Sequence, residues 1–287
     1  MAHDHSHAAG AHSHAPANYN KAFAIGVGLN LAYVLVEGGF GFRTNSLALL
    51  ADAGHNLSDV LSLLLAWAAS HLSQMKPSKQ RTYGWRRSSI IAALLNSLLL
   101  LVAIGGISWE AVRRLASPEP VVGGIVMVVA GFGVLINTAT ALLFMKGRER
   151  DINIKGAFLH MAADAGVSAV VVLGGLIISL TGLFWIDPLM SLFVVAVIAI
   201  GTWGLLRDSV NLSLDAVPSR IDVNAVEQYL HGLPGITRVH DLHIWAMSTT
   251  ECALTAHLVK PDGRLNDPLL LRIQEDLHER FVIEHMT

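Results

Sequence analysis

Two segments of this sequence repeat one spacing of histidine and aspartate. The first reads Asp52-Ala-Gly-His55-Asn56-Leu-Ser58-Asp59 and the second His160-Met-Ala-Ala-Asp164. On a helix, residues at i and i+4 share a face, so each segment offers one imidazole and one carboxylate to a single point. If the two helices run in opposite directions, His55 lies level with Asp164 and Asp59 level with His160. Two nitrogens and two oxygens then close a four-coordinate shell, which suits Zn²⁺; Mg²⁺ and Ca²⁺ prefer more oxygen ligands. Two neutral imidazoles and two carboxylates also carry the charge that cancels a divalent ion. The competing reading is a pair of hydrogen-bonded His–Asp contacts that lock helices together, and the repetition of one pair on two segments favours the metal. Asp52, three residues before His55 on the same face, is either an outer partner of this shell or a carboxylate on the exit path.

The elements that must position these residues are apolar. The chain is 53% hydrophobic and 15% charged, whereas ordinary soluble domains carry about 25% charged residues. Mean hydropathy is +0.50. A disordered chain is excluded. A net charge of −2 argues against a nucleic-acid partner, and a single cysteine, Cys252, excludes an internal disulfide framework. Six apolar stretches, near 21–42, 46–70, 88–115, 121–145, 154–180 and 185–206, each approach the ~20 residues that cross a hydrocarbon layer as helix. Both His-x-x-x-Asp segments fall inside such stretches, the second and the fifth, where an ionisable group is costly and therefore marks function. Asn30, Tyr33 and Glu37 share a face of the first stretch, which suits interhelical hydrogen bonds or a hydrated lining. That stretch follows a polar leader and contains Glu37, unlike a cleaved signal peptide.

Basic residues orient the bundle. Lys76, Lys79, Arg81, Arg86 and Arg87 lie between the second and third stretches, and Lys146, Arg148, Arg150 and Lys155 between the fourth and fifth. Both connections are expected in the cytoplasm, with both termini. Residues 1–20 form a leader with His3, His5, His7, His12 and His14 among small polar residues, expected to be disordered; such tracts often bind metal loosely, and a zinc-collecting tether competes with a dispensable tail, which is slightly favoured. Residues 21–207 form the six-span membrane domain. Residues 208–287 turn polar, and their periodicities predict helix, strand, strand, helix, strand, a small two-layer α+β domain on the cytoplasmic side. The sequence stops at Thr287 inside the last predicted strand, as a trimmed longer protein would.

With these residues assembled, the chain resembles the cation diffusion facilitator family in its zinc-transporting, bacterial cation-efflux branch. The resemblance covers nearly the whole chain. It rests on the paired His-x-x-x-Asp motifs and on Ser46-Leu-Ala-Leu-Leu-Ala-Asp52-Ala-Gly-His55, Arg81-Thr-Tyr-Gly-Trp-Arg86, Asn153-Ile-Lys-Gly-Ala-Phe-Leu-His160 and Val239-His240-Asp241-Leu-His243-Ile-Trp245. It implies a homodimeric exporter that exchanges cytosolic Zn²⁺ for external protons, with a ferredoxin-like, metallochaperone-like cytoplasmic αββαβ domain. It also implies a cytoplasmic metal site on His240, His257 and His285, where zinc would act as a regulatory ligand. Further ligands of that site fall on Asn224 and Thr287, which are poor matches, so one partial site is the expectation. The short connection at 146–153 lacks the His-rich insertion of eukaryotic vesicular relatives, which favours a bacterial plasma membrane.

Proton exchange has a physical basis. Metal binding requires neutral imidazole, and protons compete for the same lone pairs. His55 and His160 would bind zinc at neutral pH and release it toward a more acidic side. Three other classes compete with an exporter. A passive divalent-metal channel calls for a weaker, multi-site path. A membrane protease lacks its His-Glu-x-x-His motif here. A membrane metal sensor lacks a recognisable signalling motif. The chain is therefore expected to be a transporter rather than an enzyme, with the lipid bilayer, Zn²⁺, H⁺ and a second copy as its partners. Zinc is its cargo rather than a cofactor, and Cd²⁺, Co²⁺ and Ni²⁺ are possible cargoes alongside it.

Overall fold

The computed structural model describes residues 19–73, 75–145, 152–261 and 267–287. The histidine-rich leader falls outside them. Six long helices form the first part: α1 (Tyr19–Thr44), α2 (Leu47–Ser73), α3 (Ser88–Ala116), α4 (Gly123–Phe144), α5 (Ile152–Thr181) and α6 (Ile186–Ser213). Among the described residues, α3 through α6 are each long and apolar enough to cross a membrane. Helices α1 and α2, of 26 and 27 residues, carry the buried Glu37 and Asp52 within their apolar runs. Large apolar side chains such as Val102, Trp109, Leu180 and Ile200 stand exposed on the bundle surface. Water would not tolerate that surface, but lipid does.

The interior is sealed by Leu49, Val126, Ala130, Val171 and Val194. Helices α4 and α5 make the most extensive contact and α3 and α6 the next, whereas α2 and α5 touch over a short stretch. Glycine allows the α4–α5 approach. A Cβ on Gly123 would lie 2.5 Å from the Gly175 carbonyl oxygen, and one on Gly175 would lie 2.7 Å from the Met127 nitrogen. Small residues let transmembrane backbones meet in this way.

The second part consists of α7 (Val223–His231), β1 (Arg238–Ala246), β2 (Cys252–Val259), α8 (Asp267–Phe281) and β3 (His285–Met286). This is the expected αββαβ order. Asp222 caps α7, its Oδ1 accepting from the Asn224 and Ala225 backbone N–H groups at 2.9 and 3.3 Å, a standard N-cap arrangement. The sheet runs β1-β2-β3, antiparallel for β1/β2 and parallel for β2/β3. Val226 and Leu230 of α7 and Ile273 and Leu277 of α8 are buried in one core with Ile244, Cys252 and Leu254 of the sheet. Burial pushes the Cys252 thiol above its ordinary value.

This domain docks at the end of the bundle that carries the α2–α3 connection. Arg86 donates to Glu251 Oε2 at 2.9 Å and also contacts His285 Nε2. Arg87 pairs with Asp215, and the Thr249 N–H donates to Ser89 Oγ at 3.1 Å.

Candidate metal centre

The two His-x-x-x-Asp segments lie on α2 and α5, and the structure brings all four side chains together. His55 Nε2 is 3.2 Å from Asp164 Oδ1 and 3.7 Å from Asp59 Oδ2. His160 Nε2 is 3.3 Å from Asp59 Oδ2 and 3.6 Å from Asp164 Oδ2. In each case the carboxylate on the other helix is nearer than the one on the same helix, as antiparallel helices require. The imidazole rings stand 6.1 Å apart and nearly perpendicular, at 78°. Ligand atoms of His55, Asp59 and Asp164 lie within 4.8 Å of one another, and His160 completes the ring through its contacts with both carboxylates. The cluster is graded in depth: the Asp164 side chain is 4% exposed, His55 18%, Asp59 33% and His160 45%. It is therefore closed at Asp164 and open at His160.

Helix α2 is held in place from another helix. Its first N–H groups have no partner within the helix. Asp187 at the start of α6 supplies one, with Oδ2 accepting from Leu47 N at 2.7 Å and Oδ1 from Ala48 N at 3.4 Å. The Ser46 hydroxyl donates to the same carboxylate. This buried anion also suits the positive end of the α2 dipole, and it fixes the level at which His55 and Asp59 stand, two and three turns further on. Farther along α2, Asn96 of α3 donates to Ser58 and Ser62 at 3.1 and 2.7 Å.

Asp52 sits on the face expected, fully buried, but toward α1 and α5. Its Oδ2 accepts from Ser168 Oγ at 2.9 Å. Asp187 had no reading as part of the site. Its sequence context, Asp187-Pro188 at a helix start, looks like an acid in the first turn of its own helix.

The three cytoplasmic histidines do not converge. His240 and His257 face each other across the β1/β2 ladder, with ring centroids 5.1 Å apart. His285 pairs in register with Ala253, four residues from His257 along β2, and turns to Arg86. At a rise of about 3.3 Å per residue that separation is roughly 13 Å. A bulge between His240 and His243, with Asp241 at a φ of 55°, instead brings Asp241 beside the pair. Asp241 lies 3.0 Å from His243 Nε2 and 3.7 Å from His257 Nδ1. Of the two weak ligand matches, Asn224 lies in the first turn of α7 and Thr287 donates its N–H to the Leu254 carbonyl at 3.0 Å.

Comparison with known proteins decides the family. Residues 23–212 match the cation efflux transmembrane domain, and residues 218–287 match the cytoplasmic domain of cation efflux proteins. The chain belongs to the cation efflux family. It is a transporter rather than an enzyme, and it joins a helical membrane domain to a small α+β domain. The chain is 36% identical over 257 residues to the zinc transporter ZitB of Escherichia coli, covering 89% of this chain and 82% of that one. It is 35% identical over 257 residues to the metal cation efflux system protein CzcD of Cupriavidus metallidurans, covering 89% and 81%. The cadmium, cobalt and zinc/H(+)-K(+) antiporter of Bacillus subtilis is 33% identical over 260 residues, covering 89% and 83%. In this cation efflux protein the bundle, and not the cytoplasmic sheet, gathers the complete His/Asp set.

Proposed function

We propose that the protein exports Zn²⁺ from the cytoplasm across the bacterial plasma membrane in exchange for protons, with His55, Asp59, His160 and Asp164 as the transport shell. The observation that carries this reading is the alternating ring in which each imidazole Nε2 meets a carboxylate from the opposite helix at 3.2–3.3 Å. Two nitrogens and two oxygens with matched charge form a shell for a tetrahedral divalent ion. The names of the bacterial relatives support zinc as cargo, with cadmium and cobalt beside it, and protons together with potassium as counter-ions. A proton and a zinc ion compete for the same imidazole nitrogen, so filling the shell from one side and protonating it from the other drives exchange.

The α+β domain lies on the cytoplasmic side, together with both termini. Its contacts with Arg86 and Arg87, which belong to a basic connection, support this side under the positive-inside rule. The protein works as a homodimer joined through this domain. His240 and His257 form a partial regulatory zinc site there.

The test is ⁶⁵Zn²⁺ uptake into inverted membrane vesicles, with and without a pH gradient, for wild type and Asp59→Ala. Gradient-dependent uptake that the substitution abolishes is the expected result. Uptake that ignores the gradient and moves no protons would make the protein a passive channel. Binding without uptake would make it a sensor.

A further inference from the structure

The bundle buries two carboxyls that the metal shell does not use, and they face each other. Glu37 on α1 and Asp52 on α2 are both fully buried and sit close together: Glu37 bonds Asn56, one turn beyond Asp52 on α2, and their donors Tyr33 and Ser168 meet at Gly133 of α4. Glu37 Oε1 accepts from the Tyr33 hydroxyl at 2.9 Å, and its Oε2 accepts from Asn56 Nδ2 at 3.2 Å. Asp52 Oδ2 accepts from Ser168. Asp52 Oδ1 has no donor.

Among the described residues, His55 is the one basic group that faces the pair. Helix α1 contributes Tyr33, α2 contributes His55 and Asn56, and α5 contributes Asp164 and Ser168. The Val129 carbonyl is 3.5 Å from the Tyr33 hydroxyl, and Gly133 leaves room where a Cβ would stand 2.3 Å from that hydroxyl and 3.0 Å from Ser168 Oγ. Helices α3 and α6 reach α2 through Asn96 and Asp187, both engaged elsewhere on it. Among the described residues, neither Glu37 nor Asp52 forms an ion pair with an arginine or lysine. Neither hydrogen-bonds to a shell residue.

When His55 is neutral, as metal binding requires, two neighbouring buried carboxyls with no arginine or lysine beside them resist ionising together, because each charge repels the other and both lose their hydration. A single proton held between them removes the repulsion and satisfies Asp52 Oδ1. We propose that Glu37 and Asp52 together bind one exchangeable proton, a site separate from the metal shell, and that Zn²⁺ entering the shell expels it. The inference rests on the proton-exchange reading above and assigns one exchanged proton to named atoms.

Position provides the coupling. Asp52 lies one turn before His55 on α2, and its donor Ser168 lies one turn beyond Asp164 on α5. A divalent charge on the adjoining turn favours the fully ionised pair, because attraction between charges is strong where the dielectric is low. The carboxyl O–H bond then breaks, the electron pair stays on the oxygen, and the proton passes to water. When the metal leaves, the repulsion returns and a proton from water restores the pair.

The test counts protons. Calorimetric titration of the purified full-length protein with Zn²⁺ at neutral pH, in buffers of different ionisation enthalpy, gives the protons released per ion. Glu37→Gln or Asp52→Asn replaces the shared proton with an amide donor and leaves one permanent carboxylate. Each variant should release about one proton fewer per ion than wild type and show a correspondingly shallower pH dependence of zinc affinity. Infrared difference spectroscopy of wild type needs no variant. Zinc should remove a carbonyl-stretch band of a protonated carboxylic acid, and this loss should be missing from both variants. Equal proton release by wild type and both variants, or no such band lost in wild type, overturns the inference. Wild-type proteoliposomes that exchange Zn²⁺ for protons while the variants release an unchanged count would sink the carboxyl pair alone. Wild type that moves Zn²⁺ without protons would sink the exchange reading and the pair with it.

Discussion

The transmembrane cluster and the cytoplasmic histidines use the same side chains to different effect. In the bundle, two imidazoles alternate with two carboxylates, two helices contribute equally, and exposure falls from His160 to Asp164. On the sheet, His240 and His257 meet ring to ring, His257 is 63% exposed, and one carboxylate, Asp241, stands nearby. The third histidine, His285, belongs to the contact with Arg86. Histidine count therefore does not distinguish a transport shell from a surface cluster. Paired charge and partial burial do, because they compensate a divalent ion and limit competition from water.

The sharpest way to break this contrast is to remove one carboxylate from each region. Asp164→Ala leaves the two imidazoles with half their compensating charge, and loss of a buried member of such a set costs about 3–5 kcal/mol. Zinc flux in vesicles should fall at least about 100-fold, whereas Asp241→Ala should leave maximal flux within about twofold, the expectation for an exposed ion pair worth under 1 kcal/mol. Comparable losses in both would erase the distinction.

A second, smaller effect follows pH. Both shell imidazoles must be neutral to bind metal, so zinc affinity should fall as pH drops and protons take the ring nitrogens, by about 10- to 100-fold per unit once they compete. Affinity that stays flat between pH 7.5 and 5.5, read by competition with a zinc chelator, would show that the imidazoles are not ligands.

The support of α2 should matter less. Asp187→Ala removes a cap from three buried donors, and a lost cap costs about 0.5–2 kcal/mol. The melting temperature in detergent should drop, zinc affinity should weaken by several-fold, and Asp187→Asn should restore part of both. An unchanged melting temperature would mean that α2 is anchored by other contacts.

The smallest effect concerns Cys252. Burial raises its thiol, and the thiolate is the reactive form, so alkylation at pH 8 should be slow in the folded protein and fast in denaturant. Rapid labelling of the folded protein would contradict the packed sheet core.

How much of this could be read from the sequence follows from the range of the interactions. The His-x-x-x-Asp pairs were legible because helical period alone puts both groups on one face, and an apolar background makes them stand out. The αββαβ order was legible because its periodicities are local. Asp187 was not, since it caps a helix that begins 140 residues earlier in the chain. Glu37 and Asp52 could each be assigned a face, but no pattern within α1 or α2 reveals that the two faces meet. The convergence of His240, His257 and His285 failed for a related reason. Three strands in one sheet do not place three residues at one level, and only register separates His257 from His285.

The glycine contact between α4 and α5 has a mechanical consequence. Backbones this close at Gly123 and Gly175, along the most extensive helix contact of the bundle, would hold these helices as a single piece that carries His160 and Asp164 with it. Helix α2, fastened at its start to α6 through Asp187, carries His55 and Asp59 in the opposing piece. The short α2–α5 contact is then the seam of the machine. On the proposed reading a bound ion would act as its rivet, and parting the seam would divide the four residues into two pairs, each with half the shell.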